Sequence, residues 1–335
     1  VFIPYLTFLI CAAVIIFCGI RLSKYGDFIA EKSGIGKAWF GLIMMSSVTS
    51  LPELVSGISS VTFINAPDLA IGDVVGSCMF NILILSVLDF LYKEGPISSR
   101  LQRSQILGAG FGVIIFTLVL AGFMFQQHLP VFGWVALPSI LFIVVYLIAI
   151  RTIYKYEQKS NVAANDNEVH SATDGALTLK KAIAFYLLNA GFVVVAAIFL
   201  PHAGEQIAAS TGLGQTFVGT LLIAASTSLP ELVVSISALR IGAVDIAVGN
   251  LFGSNLFNIF ILAIDDIAYT RGSLLAVASK STLITLLTVL VMTGIAIIGL
   301  LFQQQHKRWK MAADTFAILC VYLIGVTLLY FTRNM

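Results

Sequence analysis

Charge is scarce in this 335-residue sequence: only 11% of the residues are Asp, Glu, Lys or Arg, and four more are histidines. A soluble domain carries about a quarter charged residues, so a water-covered globule is excluded as the state of most of the chain. Cysteine is equally sparse. Cys11, Cys18, Cys78 and Cys320 lie in apolar or small-residue segments without paired metal-ligand spacing, which suggests neither a disulfide framework nor a zinc site. No GxxxxGK[ST] loop occurs, so no ATPase activity is expected. Catalytic residues, a resident cofactor, nucleic acid and an obligate protein partner are likewise not indicated.

What is abundant is hydrocarbon. Hydrophobic residues make up 59% of the chain and its mean hydropathy is +0.98. Runs of roughly 20 apolar residues, the length that crosses a bilayer, recur at about 2–20, 38–62, 69–92, 105–125, 130–150, 180–200, 215–239, 245–264, 281–302 and 312–332. A signal peptide or tail anchor would explain one such run, not ten. Isolated strands cannot satisfy their backbone in lipid, and barrel-type alternation is absent. The expected fold class is therefore an all-α polytopic membrane protein of ten transmembrane helices, surrounded by membrane lipid.

The basic residues are unevenly placed. With ten spans, one side of the membrane receives segments 21–37, 93–103, 151–181, the turn at Arg240 and 303–311, which hold 16 of the 19 Lys and Arg residues. Arg271, Lys280 and Arg333 fall on the other. This asymmetry puts the one long polar linker in the cytoplasm and both termini outside. The linker runs from Arg151 to about Thr178 and contains NVAANDNEVHSATDG, which is expected to be flexible. Its acids, Glu157, Asp166, Glu168 and Asp174, lack the alternating spacing of a calcium loop. Val1 is an odd first residue for a complete gene product.

The chain repeats itself. Residues 26–54 align with 204–232 at an offset of 178, ending in TSLPEL at both 49–54 and 227–232. GDVVGSCMFNI at 72–82 then matches GNLFGSNLFNI at 249–259 at an offset of 177. An odd number of spans per repeat makes the second half enter the membrane from the opposite side. Two inverted-topology five-helix repeats follow, 1–150 and 180–335, joined by a cytoplasmic linker at 151–179, as in many secondary transporters.

The repeated blocks carry oxygen. On a helix, Thr49 and Ser50 share a face with Glu53, and Thr227 and Ser228 share one with Glu231. Pro52 and Pro230 cannot donate a backbone hydrogen bond, so the carbonyls of Val48 and Ser226 are expected to be released beside each glutamate. Asp73, Ser77 and Asn81 form a stripe spaced by four, as do Asn250, Ser254 and Asn258, among small residues that let helices approach closely. Any one of the serines could serve packing alone. Carboxylates at mid-span are expensive and mark ion pathways, so Glu53 and Glu231 are read as functional. Asp73 remains open between ion ligand, supporting group and neutral packing residue. Carboxylate, hydroxyl, amide and carbonyl oxygens without thiolate or imidazole are the ligands of hard cations, Ca²⁺ above all and also Na⁺. Two ions competing for shared oxygens supply a basis for exchange.

The doubled TSLPEL and G(N/D)xxGSxxxNI pattern resembles the alpha repeats of the cation/calcium exchanger superfamily, particularly prokaryotic sodium/calcium antiporters, from about Leu22 to the end of the chain. The resemblance implies ten helices in two inverted halves, ion sites in the second, third, seventh and eighth spans, and a sliding bundle of the first and sixth. It implies a multi-pass protein of the prokaryotic plasma membrane. Carried over position by position, the ligands would be Thr49, Ser50, Glu53, Ser77 and Asn81, and Thr227, Ser228, Glu231, Ser254 and Asn258. The glutamates would be the central Ca²⁺ ligands.

Two departures bear on the driving ion. Sodium/calcium exchangers of this type often have an aspartate where Asn258 stands, whereas calcium/proton exchangers tend to have amides there. Asp73 occupies the place that Asn250 holds in the other repeat, and Cys78 that of Asn255. The leading expectation is secondary active antiport of calcium for sodium, exporting calcium. The alternative is calcium/proton antiport, in which Glu53 and Glu231 titrate. A passive channel or a non-transporting scaffold is a different class, disfavoured by the inverted repeat and the matched ligand sets.

Overall fold

The computed structural model describes residues 2–34, 36–164, 177–211, 224–279, 281–303, 306–307 and 310–332, and it is helical almost throughout. Apolar runs adopt helix because only a helix bonds each backbone group within its own segment. In chain order these are α1 (Phe2–Ser33), the composite α2 (Lys37–Phe63), α3 (Pro67–Leu91), α4 (Ser104–Phe125) and α5 (Leu137–Ala164). There follow α6 (Leu179–Thr211), α7 (Ala224–Thr227 and Leu229–Arg240), α8 (Val244–Ala268), α9 (Ser281–Phe302) and α10 (Ala313–Thr332). Among the described residues, nine helices, all but α7, are long and apolar enough to cross a membrane. Of the expected seventh span, residues 215–223 lie outside the described residues.

Several boundaries differ from the apolar runs. The fifth run, expected from 130, opens on a hairpin that pairs Val131 with Ala136 and Phe132 with Val135, and helix starts only at Leu137. Gly133, at φ +68°, makes that turn. α5 then continues to Ala164, so the first part of the expected flexible linker is helical, and residues 165–176 lie outside the described residues. α1 reaches Ser33, and α6 runs through Pro201 to Thr211. Polarity ends a hydrocarbon run but does not end a helix, which stops only where caps or backbone breakers intervene.

α2 and α7 are interrupted at matching places. Ser50 (φ −91°, ψ 9°) and Ser228 (φ −82°, ψ 6°) leave the helical conformation, and Pro52 and Pro230 then sit in the first turn of the next segment. Proline is tolerated there because first-turn N–H groups have no intrahelical acceptor. α2 carries further widened turns at Phe40–Met45 and Ser60–Ile64, where the ladder passes to π-helical spacing.

Burial sorts the helices into inner and outer. In their most apolar windows, 89% of α8 and 72% of α3 is buried, against 22% of α1 and of α10. α8 packs on α2, α3, α4, α5 and α7. Its closest approach is to α2: a Cβ on Gly253 would overlap the Leu42 carbonyl, and one on Gly41 would lie 2.7 Å from that of Ile246. α1 lies chiefly against α6, touching the bundle through α7, where the Ser23 hydroxyl donates to the Val234 carbonyl at 2.8 Å. Phe17, Leu147, Phe192 and Leu323 are exposed along the outer helices, as lipid-facing side chains require.

Candidate functional site

The eleven residues singled out from the sequence are all buried, none more than 1% exposed. They converge where the breaks of α2 and α7 meet the middles of α3 and α8. Leaving the helix at Ser50 and Ser228 swings each serine toward the opposite repeat. The Ser50 hydroxyl donates to Glu231 Oε1 at 2.9 Å, and the Ser228 hydroxyl donates to Glu53 Oε1 at 3.4 Å. Ser254 adds a second donor to Glu231 Oε1 at 3.3 Å.

The threonines cross over in the same way. Thr49 Oγ1 donates to Asn250 Oδ1 at 3.2 Å and lies 3.5 Å from the Ser254 hydroxyl. In mirrored fashion, Thr227 Oγ1 donates to Asp73 Oδ1 at 3.1 Å and lies 3.3 Å from that of Ser77. Asp73 and Asn250 therefore occupy equivalent places. Asn81 Nδ2 donates to Asn255 Oδ1 at 3.2 Å, and Asn258 stands beside Cys78.

The oxygens left over define what the site can do. Glu53 Oε2, Glu231 Oε2, Asp73 Oδ2, Asn81 Oδ1 and both amide atoms of Asn258 are buried without a hydrogen-bond partner. Buried polar atoms are nearly always paired, so five such oxygens on these residues are a concentrated departure. Glu53 also feels the charges of Glu231 and Asp73 directly. Among the described residues, the ion pairs are Lys37–Asp27 and Lys307–Asp89, and neither reaches this cluster. Negative charge here is unmatched by any basic side chain among the described residues, an arrangement that suits a diffusible cation. Among the described residues, no three His, Cys, Asp or Glu side chains form a metal-holding group. Two carboxylates with neutral oxygens are a donor set that suits a hard cation held loosely enough to leave.

Four loop-tying aspartates escaped the sequence reading. Asp89 accepts from the Ile97 N–H at 2.8 Å, and Asp266 from that of Leu274 at 2.6 Å. Asp245 accepts from the Gln102 N–H at 2.9 Å, and Asp68 from that of Ser279 at 2.7 Å. These form two symmetric pairs that tie loops to helix ends. The signal was present in the repeat, since Asp68 and Asp245, and Asp89 and Asp266, are both related by the offset of 177.

Known proteins share this architecture. The sodium/calcium exchanger MaX1 of Methanosarcina acetivorans is 27% identical over 318 residues, covering 86% of this chain and 88% of that protein. The inner membrane protein YrbG of Escherichia coli is 26% identical over 276 residues, covering 77% and 80%. A solved structure of the sodium-calcium exchanger NCX_Mj superposes with a TM-score of 0.73 at 19% identity, covering 98% of each chain, and so shares the fold. The family model described as sodium/calcium exchanger protein matches residues 3–155 and 180–331, and the chain belongs to that family.

Proposed function

We propose that this multi-pass membrane protein is a secondary active antiporter that exchanges calcium for sodium by alternating access and exports calcium from the cytoplasm. The observation that carries this reading is the set of five unpartnered buried oxygens, on Glu53, Asp73, Asn81, Glu231 and Asn258. Its two glutamates supply enough negative charge for one Ca²⁺, and hydroxyls of Thr49, Ser50, Ser77, Thr227, Ser228 and Ser254 stand close enough to complete Na⁺ cages from the same carboxylates. Sharing makes occupancy exclusive, which is what exchange requires.

The proposed architecture is ten spans in two inverted halves, 1–150 and 180–335, with the 151–179 linker cytoplasmic and both termini outside. The matched breaks at Ser50 and Ser228 support it, as does the 16-to-3 split of basic residues. The α1–α6 pair packs chiefly on itself, which supports its sliding over the inner helices to change which side has access.

One observation favours a second reading. Asn81 and Asn258 are both amides, so the centre has only its two glutamates, which suits calcium/proton antiport. Calcium uptake into inverted vesicles under separately imposed gradients tests the two. Uptake driven by a Na⁺ gradient supports the sodium reading. Uptake indifferent to Na⁺ but abolished by collapsing the pH gradient replaces it with the proton reading.

A further inference from the structure

Among the described residues seven carboxylates are enclosed in the interior, and two repeat-related pairs account for four of them: Glu53 with Glu231 at the helix breaks, and Asp89 with Asp266 at the loop ties. Asp265, near the end of α8, is fully buried with neither oxygen partnered, and Asp73 on α3 keeps an unpartnered Oδ2. The charge of Asp73 reaches Asp265. In the proposed topology both lie in the half away from the linker: α8 starts beside the Arg240 turn and ends at Ala268, and α3 starts on that second side at Pro67.

The pseudo-symmetry shows what is unusual about them. In the second repeat Asn250 Nδ2 donates to the Ser235 hydroxyl at 3.1 Å, a neutral and satisfied pair. At the corresponding places the first repeat has Asp73 and Gly57. The room that glycine leaves is taken by Asp265, whose Oδ2 would overlap a Cβ on Gly57 and whose Oδ1 would lie 2.7 Å from it. The Ser56 hydroxyl stands beside Asp73. Asp265 itself corresponds to Leu88, so its carboxylate is not imposed by the repeat. Packing alone is met by the neutral pair in one half, so the added charge in the other half calls for a positive counterpart.

We propose that Asp265 and Asp73, with the Ser56 hydroxyl, form a second station for a hard cation, Ca²⁺ or Na⁺, between the Glu53–Glu231 centre and the membrane face opposite the linker. The Thr227–Asp73 hydrogen bond joins it to the centre. Two carboxylates match the charge of one Ca²⁺, and oxygen-only ligands suit either ion. The proposal rests on the exchanger reading above.

Equilibrium binding of ⁴⁵Ca²⁺ and ²²Na⁺ to the purified full chain tests it. The double variant Glu53→Gln/Glu231→Gln disables the centre and is expected to retain binding of one of the two ions. Adding Asp265→Asn is expected to weaken that residual binding by at least about tenfold. Adding Gly57→Ala instead keeps every charge but displaces the Asp265 carboxylate, and is expected to do the same. Size-exclusion profile and melting temperature establish that each variant is folded, and Gly57→Ala carries the test should Asp265→Asn fail to fold. Absence of residual binding in the double variant, while the unmodified protein binds, overturns the second station alone. So does residual binding untouched by the Asp265 and Gly57 changes. An unmodified protein that binds neither ion overturns the exchanger reading and the station with it.

Discussion

The Ser50 hydroxyl donates to Glu231 across the repeat boundary at 2.9 Å, although Glu53 is only three residues away in its own segment. The reciprocal bond runs from Ser228 to Glu53 at 3.4 Å. Each half of the site is thus wired to the carboxylate of the other. A double-mutant cycle on thermal stability of Ser50→Ala with Glu231→Gln should show a coupling of about 1 kcal/mol. The same cycle with Glu53→Gln should show a smaller one. A larger coupling within the segment than across it would contradict the crossed arrangement.

The glutamates themselves should be indispensable. Glu53→Gln and Glu231→Gln each remove half of the symmetric charge while keeping shape and burial. Calcium affinity should fall on the order of a hundredfold for either, ~2.7 kcal/mol, and transport into vesicles should cease. A Gln variant that folds and transports at the unmodified rate would remove that glutamate from the site.

Much of this centre was legible in the sequence because the repeat states it twice. TSLPEL at two places marked the breaks, and helical spacing by four grouped Thr49 with Glu53 and Ser77 with Asn81. What spacing along one helix cannot carry is which residue meets which across helices. The pairing of Ser50 with Glu231 depends on the backbone turn at Ser50, and the role of Asp265 depends on an empty Cβ position on Gly57 of another helix. Helix ends were also out of reach of hydropathy. The polar stretch after Arg151 is chemically unlike the span before it, yet its backbone continues the same helix to Ala164.

The paired aspartates should contribute unequally to stability despite their symmetry. Asp89 accepts from the N–H groups of Ile97 and Ala312 and the Thr315 hydroxyl, and pairs with Lys307 at 3.2 Å. Asp266 accepts from the N–H groups of Leu274 and Ala136. Asp266→Ala should cost about 1–3 kcal/mol for each donor stranded. Asp89→Ala should cost more, because it strands three donors and removes the carboxylate from the Lys307 ammonium, which keeps only the backbone carbonyls of Asp89 and Tyr92. Melting temperatures of the purified variants check the order. Equal losses would mean that the ion pair adds nothing beyond the shared loop tie.

Asn258 offers a way to set the driving ion. Both of its amide atoms are buried and unpartnered, on the helix that also supplies Ser254 to Glu231. Asn258→Asp keeps the volume and adds a third carboxylate to Glu53 and Glu231. More ligand charge tightens a calcium site, so apparent calcium affinity should rise about tenfold, ~1.4 kcal/mol. Release should slow correspondingly, because the ion must leave the same carboxylates that hold it more firmly. Flux at saturating calcium should therefore fall while flux at low calcium rises, and the Na⁺ concentration needed to displace bound calcium should increase. Calcium flux measured across a concentration series at two fixed Na⁺ levels reads all three quantities. An Asn258→Asp variant with unchanged affinity would place this amide outside the calcium coordination sphere and leave Glu53 and Glu231 with the Asn81 oxygen to define it.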